Sequence, residues 1–344
     1  MSTSTLPSAM KNQYARCGAP AQMKCTGCSS PLGEEAVAII YYCDEKCQAE
    51  RRKLHKSACK AHQAKKLLYR AGETLQGIFY SFRQEMFNNK IAKVEHKDGK
   101  LYLVEGQYPA MTTSLDVLHE FPFELLPSKE DRHAVLAYMA CHDAIATRRT
   151  NRKTGTAQMI EELNVEAKNS KREVLRVGQG GEQDHARYVH SIFKITLRNG
   201  GGMYCLDRSG AKYGYYNPVT PWSEYVVNRI SSIMGCHPSG TGKAMLLSRE
   251  QDNSLLDFLN RILEGCSRRT LNAMEAWESK FMALSKFLRL PQGQFEKEQK
   301  KLYYVFRLHY FAFRENIKEQ SRKALENPGI HPVVPFTPGK FKAC

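Results

Sequence analysis

Between residues 63 and 88 the apolar side chains Leu67, Leu68, Leu75, Ile78, Phe79 and Phe82 recur on one face at helical spacing. They follow a stretch from Asp44 to Lys66 that is rich in helix formers and free of Gly and Pro. One helix running through both is predicted, with Gly72 and Gly77 as its weak points. The period then changes to two. Ile91–Lys97 and Lys100–Val104 are short alternating runs around Asp98-Gly99, a turn pair that predicts a hairpin. Ser128, three residues before Asp131, caps a helix expected from Lys129 to Arg149. A second hairpin is predicted over Val189–Leu206, where Phe193, Ile195 and Leu197 alternate with Lys194 and Thr196 before Asn199-Gly200. With that pair at the centre of the turn, Thr196 lies opposite Met203 and Ile192 opposite Asp207. Phe193, Ile195, Tyr204 and Leu206 then face the core.

Further on, Thr220 is expected as the N-cap of a helix with Pro221 in its first turn. One or two helices fit residues 248–290, ended by Pro291. Another fits Phe295 to Lys323, and its stripe of Leu302, Val305, Phe306, Tyr310 and Phe313 reads as core packing. Residues 150–186, polar and glycine-containing, read as a mobile connection with one helix at most. Residues 1–13 read as a disordered N-terminus. Residues 327–344, with Pro328, Pro332, Pro335 and Pro338, read as an extended tail.

The expected class is α+β. A small N-terminal zinc-stabilised finger (14–62) is followed by a mixed domain (63–247) with two hairpins and by a helical region (248–326). The chain of 344 residues carries 51 Lys and Arg against 35 Asp and Glu, a net charge of +16. The excess is spread over short clusters such as Arg51-Arg52-Lys53 and Arg268-Arg269, with no aromatic-interleaved stripe. It reads as a solvated basic surface first and as a weakly supported nucleic-acid surface second. No apolar run is long enough to span a membrane, and Met1–Gln13 lacks the apolar core of a secretory signal, so an intracellular site, nucleus or cytoplasm, is expected.

The cysteines carry more information. Of eleven, six fall between Cys17 and Cys59, and an odd total so clustered favours a metal site in a reducing compartment over a disulfide framework. Cys25 and Cys28 form C-x2-C, Cys43 and Cys47 form C-x3-C, and His55 and Cys59 form H-x3-C; the last two spacings each put both ligands on one helix face. Soft thiolates with imidazole favour zinc over calcium or magnesium. So small and polar a segment would draw its folding energy from the metal, which makes one or two structural zinc ions the expected cofactor.

With Tyr42-Cys43, Cys47-Gln48, His55 and Cys59 in this spacing, residues 14–59 resemble a MYND-type zinc finger. The resemblance implies two ions held by interleaved pairs, one by Cys25, Cys28, His55 and Cys59, the other by Cys17, Cys43 and Cys47. Tyr14 stands where the family has a fourth ligand to the second of these ions. Three arrangements are open there: three ligands with a water, recruitment of another group such as His62, or an empty site. Arg52 stands where the family usually has Trp. The insert Ser29–Tyr41 is longer than usual and holds an apolar run, Val37–Tyr41, that reads as a strand. The family's usual role is docking short proline-containing peptides, so the resemblance implies a zinc-binding docking or scaffold protein with a protein or peptide partner.

Two further segments bear on chemistry. Gly235–Lys243 is glycine-rich but departs from a phosphate-binding loop. His237 stands where the first Gly belongs, Ala244 follows Lys243, and the preceding segment reads as helix. In the second hairpin the register makes His190 and Asp207 diagonal neighbours, the orienting half of a Cys-His-Asp triad. His190, sixteen intervening residues and Asp207-Arg-Ser-Gly-Ala-Lys-Tyr-Gly214 resemble the His and Asp strands of papain-like and transglutaminase-like folds. That resemblance implies a thiol hydrolase or acyltransferase with Cys141 as nucleophile, although the helix expected here would bury Cys141 in its middle. Alternation alone would equally put His190 and Asp207 on a wet face.

Overall fold

The computed structural model describes residues 3–5, 17–25, 40–106, 118–146, 156–184, 188–198, 200–247 and 255–326. The fold is α+β. Eleven strands and eight α-helices are described, in three sheets, with long helices at the C-terminal end.

The N-terminal sheet has the order β1-β2-β3, formed by Thr3–Thr5, Met23–Cys25 and Tyr41–Tyr42. Thr3–Thr5 were expected to be disordered. They instead pair antiparallel with β2, Thr3 opposite Cys25, because that strand offers a free edge. Of the run Val37–Tyr41, only Tyr41 belongs to a described strand; Val37–Ile39, Tyr14 and Cys28 lie outside the described residues.

Helix α1 runs unbroken from Glu45 to Glu85, 41 residues, with Asp44 accepting from the Cys47 amide as N-cap. Its glycines mark close approaches rather than breaks. A Cβ on Gly72 would overlap Val219, and one on Gly77 would overlap the Tyr303 ring. The first hairpin, β4 (Ile91–Lys97) and β5 (Lys100–Glu105), closes with Lys97 opposite Lys100 and positive φ at both Asp98 and Gly99. A third strand, β7 (Glu173–Val177), adds parallel to β5.

The central sheet has the order β10-β9-β8-β6-β11, all antiparallel. Strands β8 (His190–Leu197) and β9 (Met203–Leu206) take the expected register, with Thr196 opposite Met203 and Ile195 opposite Tyr204. Phe193, Ile195, Tyr204 and Leu206 pack with Leu68 of α1 and Val219. The opposite face is not wet. Helix α4 (Trp222–Arg229) covers it, and Leu163, Val165, Ile192, Cys205 and Tyr225 form a second layer there.

The described part of residues 150–186, residues 156–184, does not form the expected connection. It contains β7 and the eleven-residue strand β6 (Ala157–Ala167), which lies between β8 and β11. Its carboxylates hid it from an alternation test, and each has a specific partner. Glu161 pairs with Lys194 at 3.0 Å, and Glu162 accepts the amides of Gly240 at 2.5 Å and Gly242 at 2.7 Å.

The segment before that glycine-rich loop is also strand, not helix: β11 (Ile230–Pro238) leads into α5 (Thr241–Leu247). The loop amides nevertheless serve an internal carboxylate. Thr220 pairs with Cys205 in β10 (Val219–Pro221), so Pro221, not Thr220, occupies the cap position of α4.

The main core joins α1 and α2 (Lys129–Ala137) to the C-terminal helices α6 (Leu255–Lys280), α7 (Leu284–Phe287) and α8 (Gln292–Glu326). Phe79, Phe87, Trp277, Leu302, Phe306 and Tyr310 are fully buried in it, so the aromatic stripe of α8 is core packing. Arg70 of α1 donates to the Leu288 and Leu290 carbonyls and to Gln292, tying α1 to the α7–α8 junction. No helix among the described residues is long and apolar enough to cross a membrane.

Candidate active site and metal-ligand clusters

The helix expected to carry Cys141 in its middle is interrupted just before it. Ser128 caps α2 as expected, donor Asp131 N at 3.0 Å, but α2 ends at Ala137. Tyr138 is extended and Met139 takes a left-handed φ of +53°. The chain then re-enters helix with Cys141 as the first residue of α3 (Cys141–Ala146). No Gly or Pro signals this break, so periodicity reads through it. Arg83 of α1 clamps both sides of it. Its Nε donates to the Leu136 carbonyl at 3.2 Å, and its guanidinium pairs with Asp143 at 2.7 Å.

His190 opens β8 and Asp207 follows the last residue of β9, so the sheet places the two side by side. His190 Nε2 donates to Asp207 Oδ2 at 3.0 Å, and both residues are buried. Asp207 accepts two more bonds, from the Tyr225 hydroxyl at 2.8 Å and from the Ser209 amide at 3.1 Å. A Cβ on Gly210 would stand 2.7 Å from Asp207 Oδ2, so only glycine lets the turn close this tightly. Cys141 and His190 influence each other's ionisation, while His190 Nδ1 itself is buried with no hydrogen-bond partner among the described residues. With Nε2 committed to Asp207, Nδ1 is the ring nitrogen left for the thiol. Cys141 Sγ also donates to the Val189 carbonyl at 3.6 Å, and the Tyr213 ring stands edge-on to His190 at 5.1 Å.

The electrostatics favour the ionised triad. Burial pushes the Cys141 thiol up, but the Lys212 ammonium and the His190 imidazole outweigh it and bring the thiol down to about 6. Burial opposes a charge on His190, and the Asp207 carboxylate overcomes it and raises the imidazole. Burial likewise pushes Asp207 up, and His190 beside it holds the carboxyl below its ordinary range. The other described thiols outside the N-terminal segment move the opposite way. Burial drives Cys205 and Cys266 well up, and Cys236 is raised by partial desolvation and by Glu161.

A cleft of about 520 Å³ lies next to these elements, lined by neighbours of the triad and not by Cys141, His190 or Asp207 themselves. Tyr138 and Met139, just before Cys141, line it, as do Tyr188, just before His190, and Lys212 and Tyr213. Lys212, Tyr213 and Tyr225 carried no role in the sequence. The segment after Asp207 was the only signal for the first two, and Tyr225 looked like any helical apolar position.

The N-terminal cysteines and histidine form two clusters that could hold a metal ion: Cys17, Cys43 and Cys47, and Cys25, His55 and Cys59. In the first, Cys17 Sγ lies 3.6 Å from Cys43 Sγ and 3.8 Å from Cys47 Sγ. In the second, Cys25 Sγ lies 3.7 Å from Cys59 Sγ and 3.3 Å from His55 Nε2. Cys43 and Cys47 fall in one group and His55 and Cys59 in the other, and Cys28 lies outside the described residues. Helix α1 supplies Cys47, His55 and Cys59, so it brings ligands to both clusters. No protein-family model matches the chain, and neither does any curated protein or any solved structure.

Proposed function

We propose that this protein is a cysteine-dependent acyl-transfer enzyme, a hydrolase or acyltransferase, using Cys141, His190 and Asp207. One observation carries the reading: a buried His190–Asp207 pair, bonded at 3.0 Å, stands beside Cys141, whose thiol reaches the carbonyl of the residue before His190 and is drawn down to about 6. In a soluble domain a buried imidazole and carboxylate need a reason to be there, and activating a nucleophile is one.

In this reaction His190 Nδ1 takes the thiol proton. The thiolate attacks the substrate carbonyl carbon, a C–S bond forms, and the carbonyl electron pair moves to oxygen. Collapse of that intermediate breaks the bond to the leaving group, which takes the proton back from His190. Water or an amine then releases the acyl group from sulfur by the reverse sequence. Asp207 keeps the imidazole in the tautomer and orientation this requires.

The test is residue-resolved alkylation by iodoacetamide at pH 6.5, read by mass spectrometry. Cys141 is expected to react about tenfold or more faster than Cys236. Exposure alone gives the opposite order, since Cys236 is exposed and Cys141 buried. A Cys141 no faster than Cys236 removes the proposal.

A second reading concerns the N-terminal segment. We infer that its two clusters bind zinc as a MYND-like finger that docks a protein or peptide partner. Two thiolates bound to one tetrahedral zinc at about 2.3 Å lie about 3.8 Å apart, close to the observed sulfur–sulfur distances. Elemental analysis of protein purified without added metal should find two zinc ions per chain, and Cys25→Ser should lose one of them. Absence of zinc removes this reading.

A further inference from the structure

Among the charged groups that line the cleft, Lys212 is the buried cation that acts on the Cys141 thiol, and the reaction above gives it no step. Lys212 lies in a short 3-10 turn, Gly210–Tyr213, and is only 7% exposed, yet it lines the cleft. Its Nζ stands 4.8 Å from the centre of the Tyr213 ring, and the same ring contacts His190. Of the cleft's other charges, Arg172 pairs with Asp131, Glu173 with Lys100 at 2.7 Å, and Asp184 accepts from the Tyr188 hydroxyl at 2.5 Å. Among the described residues no carboxylate forms an ion pair with Lys212. The groups that act on it are Cys141, Tyr213 and Asp207, with the Cys141 thiolate as the strongest favourable influence. Those that act on the thiol are Lys212, His190 and His142.

A buried ammonium is costly unless an anion compensates it. Here the resting anion is the Cys141 thiolate. Acyl transfer moves that charge: as sulfur bonds to carbon, the negative charge passes from sulfur to the carbonyl oxygen. The count of charges in the pocket stays the same, and the cation stays in place.

We propose that Lys212 is a catalytic residue of this site, holding the thiolate at rest and the oxyanion once the tetrahedral intermediate forms. The proposal rests on the acyl-transfer reading, and it assigns the oxyanion-stabilising role to a side chain rather than to backbone amides alone.

Two probes separate its parts. Iodoacetamide alkylates the thiolate by displacing iodide and forms no oxyanion. p-Nitrophenyl acetate acylates it through an oxyanion and releases p-nitrophenolate, which absorbs visible light. Rates at Cys141 are taken on the high-pH plateau of each profile, where the thiolate is fully formed with or without the lysine.

For Lys212→Met, plateau acylation should fall about 100-fold while plateau alkylation stays within about twofold of wild type. At pH 6.5 both rates should fall, since the thiol loses its nearest cation. Lys212→Arg should retain part of the acylation rate. If both plateau rates recover in Lys212→Met, Lys212 only sets the thiol's ionisation and the oxyanion role is wrong. If wild-type Cys141 alkylates no faster than Cys236, the underlying acyl-transfer reading has failed instead. Should Lys212→Met lose its melting transition, Lys212→Gln, which keeps a polar group in the same space, answers the same question.

Discussion

The Tyr225 hydroxyl donates to Asp207 Oδ2 at 2.8 Å, the same oxygen that receives His190 Nε2 at 3.0 Å. The aspartate is therefore oriented from the covering helix as well as from the sheet. Tyr225→Phe removes one of three bonds and leaves the carboxylate with His190 and the Ser209 amide. It should lower stability by about 1 kcal/mol, read by denaturant melting. It should also shift the pH profile of Cys141 alkylation while leaving the rate on its plateau near wild type. An unchanged profile would show that Tyr225 does not influence the triad.

Gly210→Ala tests the same carboxylate from the other side. The added methyl would stand 2.7 Å from Asp207 Oδ2 and 3.1 Å from the Tyr215 carbonyl, and one of them has to move. Displacing Asp207 breaks its alignment with His190, so acylation should fall about 100-fold, far more than one methyl's effect on stability would suggest. Acylation at the wild-type rate would mean that the turn yields and the carboxylate stays.

The pH dependence has a definite sign. With the thiol at about 6, Cys141 alkylation should climb through that pH and level off by neutrality, whereas Cys236, raised above the ordinary 9.0, should still be climbing beyond it. Stability follows the carboxylates. Asp207 and Asp131 are both pushed up by burial, but His190 and Arg172 respectively hold each below its ordinary 3.8. Folded, they bind fewer protons than unfolded, so their contribution is present above 3.8 and is lost as pH falls below it. The melting temperature should drop steeply in that acid range, and less steeply in Asp131→Asn, which starts from a lower value.

On the zinc-binding reading, metal removal should be felt beyond the N-terminal segment. Cys47, His55 and Cys59 lie on the helix that also enters the main core through Phe79 and Phe82. A chelator, or His55→Ala, should reduce helicity by circular dichroism and lower the melting temperature of the whole protein. Loss of metal with no change in either would mean that the first turns of α1 hold without it.

The registers of both hairpins were legible because Asp-Gly and Asn-Gly favour a defined turn, although Asn199 itself lies outside the described residues. From the second turn, counting by twos brought His190 beside Asp207, and the pairing of Thr196 with Met203 agrees. The two Cys/His groups that could hold a metal were foreshadowed for a similar reason, since the spacing of such residues reflects the geometry of a small ion.

What stayed hidden depended on partners distant in sequence. Strand β6 reads as polar because Glu162 is satisfied by amides 78 and 80 residues away. The break before Cys141 depends on a left-handed Met139, a state methionine does not advertise. Lys212 resembled any surface lysine until the fold closed over it.

The unbroken course of α1 has a geometric consequence. A helix turns about 100° and rises about 1.5 Å for each residue. Between His55, in the N-terminal Cys/His group, and Gly72, where α1 meets Val219, seventeen residues therefore fix both a separation of about 25 Å and an angle of rotation. The chain thus uses a stretch of its own backbone as a ruler and a protractor. Inserting a single alanine after Gln63 would change little in composition or length. It would swing the metal clusters about a quarter of the way around the axis relative to the sheet, and anything gripped there would face a different side of the molecule.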